Sequence, residues 1–199
     1  MGSIERDEFS RATWRTMVAE KLCAGRLVFV DEMGANTSLA PIYAWSRRGE
    51  RVRYSVPRNR GKNTTLLASM TVEGMGPCLA VEGSTTGAVF EAYVERVLAP
   101  TLRTGQVVVI NNLSAHKSKK VGELVEARGC ELRYLPPYSP DSNPIEEAFA
   151  KIKGLLRKAE ARTRWALVEA MGVAISAVTA IDARGFFGHC GYRRTVQSL

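Results

Sequence analysis

Asp31 closes an apolar run, Leu27-Val28-Phe29-Val30, whose natural home is a buried strand. A carboxylate in such surroundings is costly unless a donor or a charge answers it. Asp31 therefore either marks the strand's end and faces solvent, or belongs to a site. Glu32 points to the other side of the strand and reads as solvated. A second run of the same character, Gln106-Val107-Val108-Val109-Ile110, ends at Asn111-Asn112. If the two strands lie side by side and parallel, their carboxyl ends open onto one crevice, the usual place for a ligand in such sheets. Asp31 and Asn111 then face each other.

The third candidate is Glu146, within the block LPPYSPDSNPIEEAF at residues 135–149. Asn143 is a good helix N-cap, Pro144 fits the first helical position, and Glu146 is placed to reach back to the cap's N–H. That capping role would explain Glu146 without any chemistry. Ile145, Phe149, Ile152 and Leu156 turn one face of the helix to the core, and Glu146 at its edge can still look toward the sheet. Glu147 stands four residues before Lys151, which predicts an exposed ion pair.

The elements that must position these residues follow from pattern and punctuation. A short helix is expected within 5–23, then the strand from Leu27. Two more strands, Arg51–Val56 and Thr64–Val72, flank the turn at 57–61, and Pro77–Glu82 closes an antiparallel meander. Val89, Tyr93, Val97 and Leu98 predict a helix from near Thr86 to before Pro100. After the 106–110 strand come a helix at Lys117–Arg128, stopped by Gly129, and a strand at Glu131–Leu135. The rest is helical from Asn143, with Trp165, Val168, Ile175 and Val178 as the core of a late helix. The order predicts an α/β fold, a mixed sheet flanked by helices. Residues 1–25 read as a lead-in helix and 26–199 as one domain.

A chain of 199 residues with 45% hydrophobic content suits one domain with a full core and excludes disordered and fibrous classes. No run approaches the roughly 18 apolar residues of a membrane span, and MGSIERDEFSR has no apolar stretch for a signal peptide. A soluble, cytoplasmic protein with no membrane partner is the expectation. Cys23, Cys78, Cys130 and Cys190 lack Cys-x-x-Cys spacing, which fits reduced thiols. The net charge of +8 favours a polyanionic partner, nucleic acid first.

Taken together, Val30-Asp31-Glu32, VVVINNLSAHK at 107–117 and the proline-rich block resemble the catalytic domain of DDE transposases, in particular the bacterial insertion-sequence branch of the mariner superfamily. The resemblance runs from Leu27 to the FFGHCGY segment at 186–192. The proline-rich string is its most specific part, and the 34 residues between Asn111 and Glu146 match the superfamily's interval. It implies a ribonuclease-H-like fold in which three carboxylates hold two divalent ions, Mg²⁺ or Mn²⁺, with Asp31 as the first and Glu146 as the last. Paired dications need several anionic oxygens to hold them and open positions for water and phosphate. It also implies cleavage at transposon ends and strand transfer into target DNA, by two copies of the chain meeting on paired ends in the bacterial cytoplasm, at the nucleoid.

Two departures qualify the resemblance. The family has aspartate where this chain has Asn111, and an amide offers one neutral oxygen in place of a charge. The expectation is a protein that binds DNA and cleaves it poorly or not at all, whether as an engineered trap or a decayed element. A non-catalytic DNA-binding remnant is the alternative, and a ribonuclease-H-like nuclease acting on RNA is disfavoured by the proline-rich block. Family members also carry helix-turn-helix domains ahead of the catalytic one. With about 26 residues before the first strand, the expectation is a catalytic fragment or the second of two split reading frames, with Met1-Gly2-Ser3 a cloning remnant.

For DNA contact the candidates are Arg47, Arg48, Arg51, Arg53, Arg58, Arg60 and Lys62, because guanidinium pairs bidentately with phosphate. A charge-protected hairpin edge explains the same residues without DNA. Lys153 and Arg157 share the Glu146 stripe of their helix and could guide a strand inward. His116 and Lys117 follow the Asn111 turn; His116 either touches substrate or metal, or caps the turn or lies exposed. His189-Cys190 reads as packing.

Overall fold

The computed structural model describes residues 7–19, 22–59, 61–113 and 116–192, with the side chains of 17–19 excepted. Its centre is a five-stranded sheet in the order β3-β2-β1-β4-β5. The strands are β1 (Leu27–Ala35), β2 (Thr64–Thr71), β3 (Gly74–Glu82), β4 (Val107–Ile110) and β5 (Glu131–Tyr134). β1, β2 and β3 form an antiparallel meander. β4 lies parallel to β1, with Val30 opposite Ile110, and β5 lies parallel to β4. The two apolar runs are thus side by side and parallel and end opposite each other at Val30 and Ile110, while β1 continues past that point to Ala35.

Around the sheet are α1 (Glu8–Thr13), α2 (Gly87–Tyr93), α3 (Lys119–Glu126), α4 (Pro144–Ala159), α5 (Arg164–Ser176) and α6 (Ala180–His189). Side chains alternate across a strand, so each face of β1 has its own core. Leu27, Phe29, Met33 and Ala35 pack with Val107 and Val109 against α4, α5 and α6. Val28 and Val30 pack with Val108 and Ile110 against α2 and α3. Parallel strands covered on both faces read as near-continuous apolar sequence, which is why these two runs were legible.

Three expectations need correction. Arg51–Val56 forms no strand; it belongs to an irregular, exposed arm between β1 and β2. Its alternation of Arg with Val and Tyr mimics a strand, but a strand needs a neighbour, and β1 and β2 pair directly with each other. Trp165 and Val168 are exposed, and α5 instead buries Leu167, Met171 and Ala174; apolar residues surround this helix, so periodicity gave no direction. Lys151 pairs with Asp182 of α6 at 2.6 Å, while Glu147 meets His189.

Among the described residues no single helix is long and apolar enough to cross a membrane.

Candidate functional site

Period-two alternation decides what reaches the cleft. Asp31 follows Phe29 in phase and Asn111 follows Val109, so both side chains stand on the face that α4 covers; Asn111 directly follows the end of β4, whereas Asp31 lies midway along β1 and does not mark that strand's end, because pairing with β2 carries β1 on to Ala35. Asp31 is only 3% exposed. Its carboxylate is answered by three donors. Asn111 Nδ2 donates to Oδ1 at 2.7 Å, the Glu32 backbone N–H donates to Oδ1 at 2.8 Å, and Asn143 Nδ2 donates to Oδ2 at 2.7 Å. Burial pushes the Asp31 carboxyl up to about 7; the Glu32 N–H opposes the rise, the charge of Glu146 adds to it, and His116 works against it.

His116 supports Asn111 from behind. Its ring is 1% exposed, stacks on Phe90 with centroids 4.0 Å apart, and places Nδ1 2.6 Å from Asn111 Oδ1. For that oxygen to accept, Nδ1 must carry the proton, which fixes the amide with its nitrogen toward Asp31. Nε2 lies 3.6 Å from Glu32 Oε2. Glu32 stands on the opposite face of β1, where burial pushes its carboxyl up but His116 and Thr85 outweigh burial and hold it below the usual range. It is half-buried rather than solvated, with His116 and Thr85 set against it.

Glu146, in the first turn of α4, is exposed and lines the same cleft of about 290 Å³ with Asp31, Asn111, Asn143 and the proline-rich segment from Leu135 to Pro140. The expected capping box does not form: the Asn143 side chain makes no cap bond and turns instead to Asp31. Asn143 Oδ1 is buried without a hydrogen-bond partner. Asn143, in sequence a helix cap, is thus a residue of the site. The signal available was the unpaired Asp31 itself, since a buried carboxylate requires donors from a neighbouring element.

Of the candidates for DNA contact, Arg47, Arg48, Arg51, Arg53, Arg58 and Lys62 are exposed on the arm, with Lys62 held 3.3 Å from Glu82; Arg60 lies outside the described residues. Lys153 and Arg157 are partly exposed on α4, and Lys117 is exposed beside the ring of Tyr134. His116 is buried and presents no surface to a nucleic acid, a correction explained by its stacking on Phe90.

Among the described residues no group of three His, Cys, Asp or Glu side chains is placed to hold a metal ion. The cleft has two carboxylates, and both oxygens of the buried one already accept from amides. This donor set does not fit a pair of dications, which needs more negative charge and free oxygen lone pairs.

A mixed sheet of this order, with helices on both faces and a buried aspartate on its central strand, defines the ribonuclease-H-like class. The chain belongs to the DDE superfamily endonuclease family, whose model matches residues 26–168. No curated protein matches it. Similar solved structures include the Mos1 transposase paired-end complex with left transposon end, at 17% identity and TM-score 0.76, covering 94% of this chain and 58% of that one. A pre-cleavage Mos1 transpososome gives 16% identity and TM-score 0.74, with 94% and 59% covered. The Mos1 catalytic domain with Raltegravir and Mg gives 17% and 0.68, with 94% and 89% covered. The chain therefore spans somewhat under three fifths of the first two proteins and nearly all of the isolated catalytic domain.

Proposed function

We propose that this chain is the catalytic core of a cut-and-paste DNA transposase of the mariner superfamily's insertion-sequence branch, impaired in cleavage as written. The observation that carries the reading is the Asn111 amide on Asp31. With aspartate at 111 the cleft would offer Asp31, residue 111 and Glu146 as three carboxylates, the set suited to two Mg²⁺ or Mn²⁺ ions. With Asn111 the amide occupies Asp31 in their stead. Support for metal use comes from Mos1, whose catalytic domain was crystallised with Mg and with Mn.

The substrate is transposon-end DNA and then target DNA, engaged by a homodimer on paired ends. Mos1 structures are described as a paired-end complex and a strand transfer complex, and the exposed arginines of the arm provide phosphate contacts. The same amide favours a second reading, a non-catalytic DNA-binding remnant. Binding of a transposon-end duplex, assayed by mobility shift with EDTA and with Mg²⁺, tests the common core of both. A complex of equal affinity in each, with no nicked product, is expected. Efficient Mg²⁺-dependent nicking by the unaltered chain would overturn the impairment, and absence of binding in both would overturn the DNA reading.

A further inference from the structure

Tyr138 is an aromatic residue of the cleft wall that the proposed chemistry does not use. Its φ of 51° puts it in the left-handed region, uncommon and costly for a bulky side chain. Its ring is 55% exposed where the wall meets solvent. Such strain persists only where the surroundings enforce it.

The enforcing group is Arg11 of α1, whose side chain is fully buried. Its Nη1 donates to Tyr138 O at 3.2 Å and to Ser139 Oγ at 3.1 Å. Nη1 and Nη2 also grip Asp141 bidentately at 2.9 and 2.6 Å. Pro136, Pro137 and Pro140 stiffen the chain on either side by fixing φ. The result is an aromatic face held in advance at the rim of an acidic cleft. A cleft of about 290 Å³ lies at the small end of ligand sites, a size that suits a single nucleotide.

We propose that Tyr138 is a stacking platform for one unpaired nucleobase of a DNA strand whose backbone enters the Asp31–Glu146 cleft, with Arg11 as its positioning residue. The inference rests on the reading that the cleft takes DNA. A rigid ring with two χ angles loses little freedom on stacking, and every base has a π face to offer. The arm's arginines supply sequence-independent attraction, and Tyr138 supplies preference for an unstacked end over a closed duplex.

The test uses the full chain with a DNA duplex carrying a short single-stranded overhang that contains 2-aminopurine, and a blunt duplex as control, both in EDTA. The unaltered chain is expected to bind the overhang more tightly and to quench the probe. Tyr138→Phe retains both effects. Tyr138→Asn, which tolerates the left-handed backbone but has no ring, loses the quench and binds the overhang roughly 5- to 150-fold more weakly. Its blunt-duplex affinity is unchanged. Arg11→Met, checked for folding by circular dichroism, loses the quench while keeping blunt-duplex binding. Equal quenching and affinity in Tyr138→Asn and the unaltered chain would overturn the stacking role alone. Failure of the unaltered chain to bind either DNA would overturn the DNA reading, and this inference with it.

Discussion

The amide of Asn111 and the carboxylate of Asp31, on neighbouring parallel strands, meet through a 2.7 Å hydrogen bond. An amide at that position brings positive polarity to Oδ1, as a cation would in a three-carboxylate site, and offsets part of the cost of burying the carboxylate; burial still pushes the group up to about 7. Asn143 does the same for Oδ2. The site is therefore closed by neutral donors, and its stability should depend on them individually.

Asn143→Ala removes the donor to Oδ2 from a buried environment. The expected loss is about 1–3 kcal/mol, read as a lower urea midpoint with an unchanged slope. An unchanged midpoint would mean that Asp31 does not depend on this amide.

His116→Phe keeps an aromatic ring against Phe90 but deletes the Nδ1 donor that orients Asn111. The chain should lose about 0.5–1.5 kcal/mol, the net range of one hydrogen bond, since Asn111 Oδ1 still accepts from the Leu113 N–H. Combined with Asn111→Ala, the loss should fall short of the sum, because both substitutions break the same contact. Strict additivity in the double-mutant cycle would separate the two residues.

The Arg11 guanidinium holds the Asp141 carboxyl down at about 2. Because the folded value lies below the unfolded one, the pair stabilises the fold above about pH 4 and its contribution disappears as pH falls through about 2. Asp141 is half-exposed, so solvent screening keeps the contribution modest. The stability difference between the unaltered chain and Asp141→Asn, measured by denaturant unfolding, should be full at pH 5 and vanish near pH 2. A difference independent of pH would contradict the pairing.

What the sequence made legible was the parallel pair of apolar strands and the convergence of Asp31, Asn111 and Glu146, because burial on both faces and period-two alternation leave a direct trace in residue type. What it hid were contacts that close through tertiary packing. Asn143 satisfies a local capping rule so well that its turn toward Asp31 has no local signature. His116 looks like a loop residue until Phe90, from a distant helix, covers it. Trp165 and Val168 lie on a helix apolar all round, where only the position of β3 and α4 selects the buried side.

Asn111→Asp tests most directly whether the Asn111 amide takes the place of a metal ion on Asp31. Two facing carboxylates repel, so the variant should be less stable than the unaltered chain in EDTA and should regain stability with Mn²⁺. Mn²⁺ at a hundredfold excess over its Kd should stabilise the variant by about 2.7 kcal/mol, while the unaltered chain shows no saturable shift. An equal Mn²⁺-dependent stabilisation of both forms would contradict the claim.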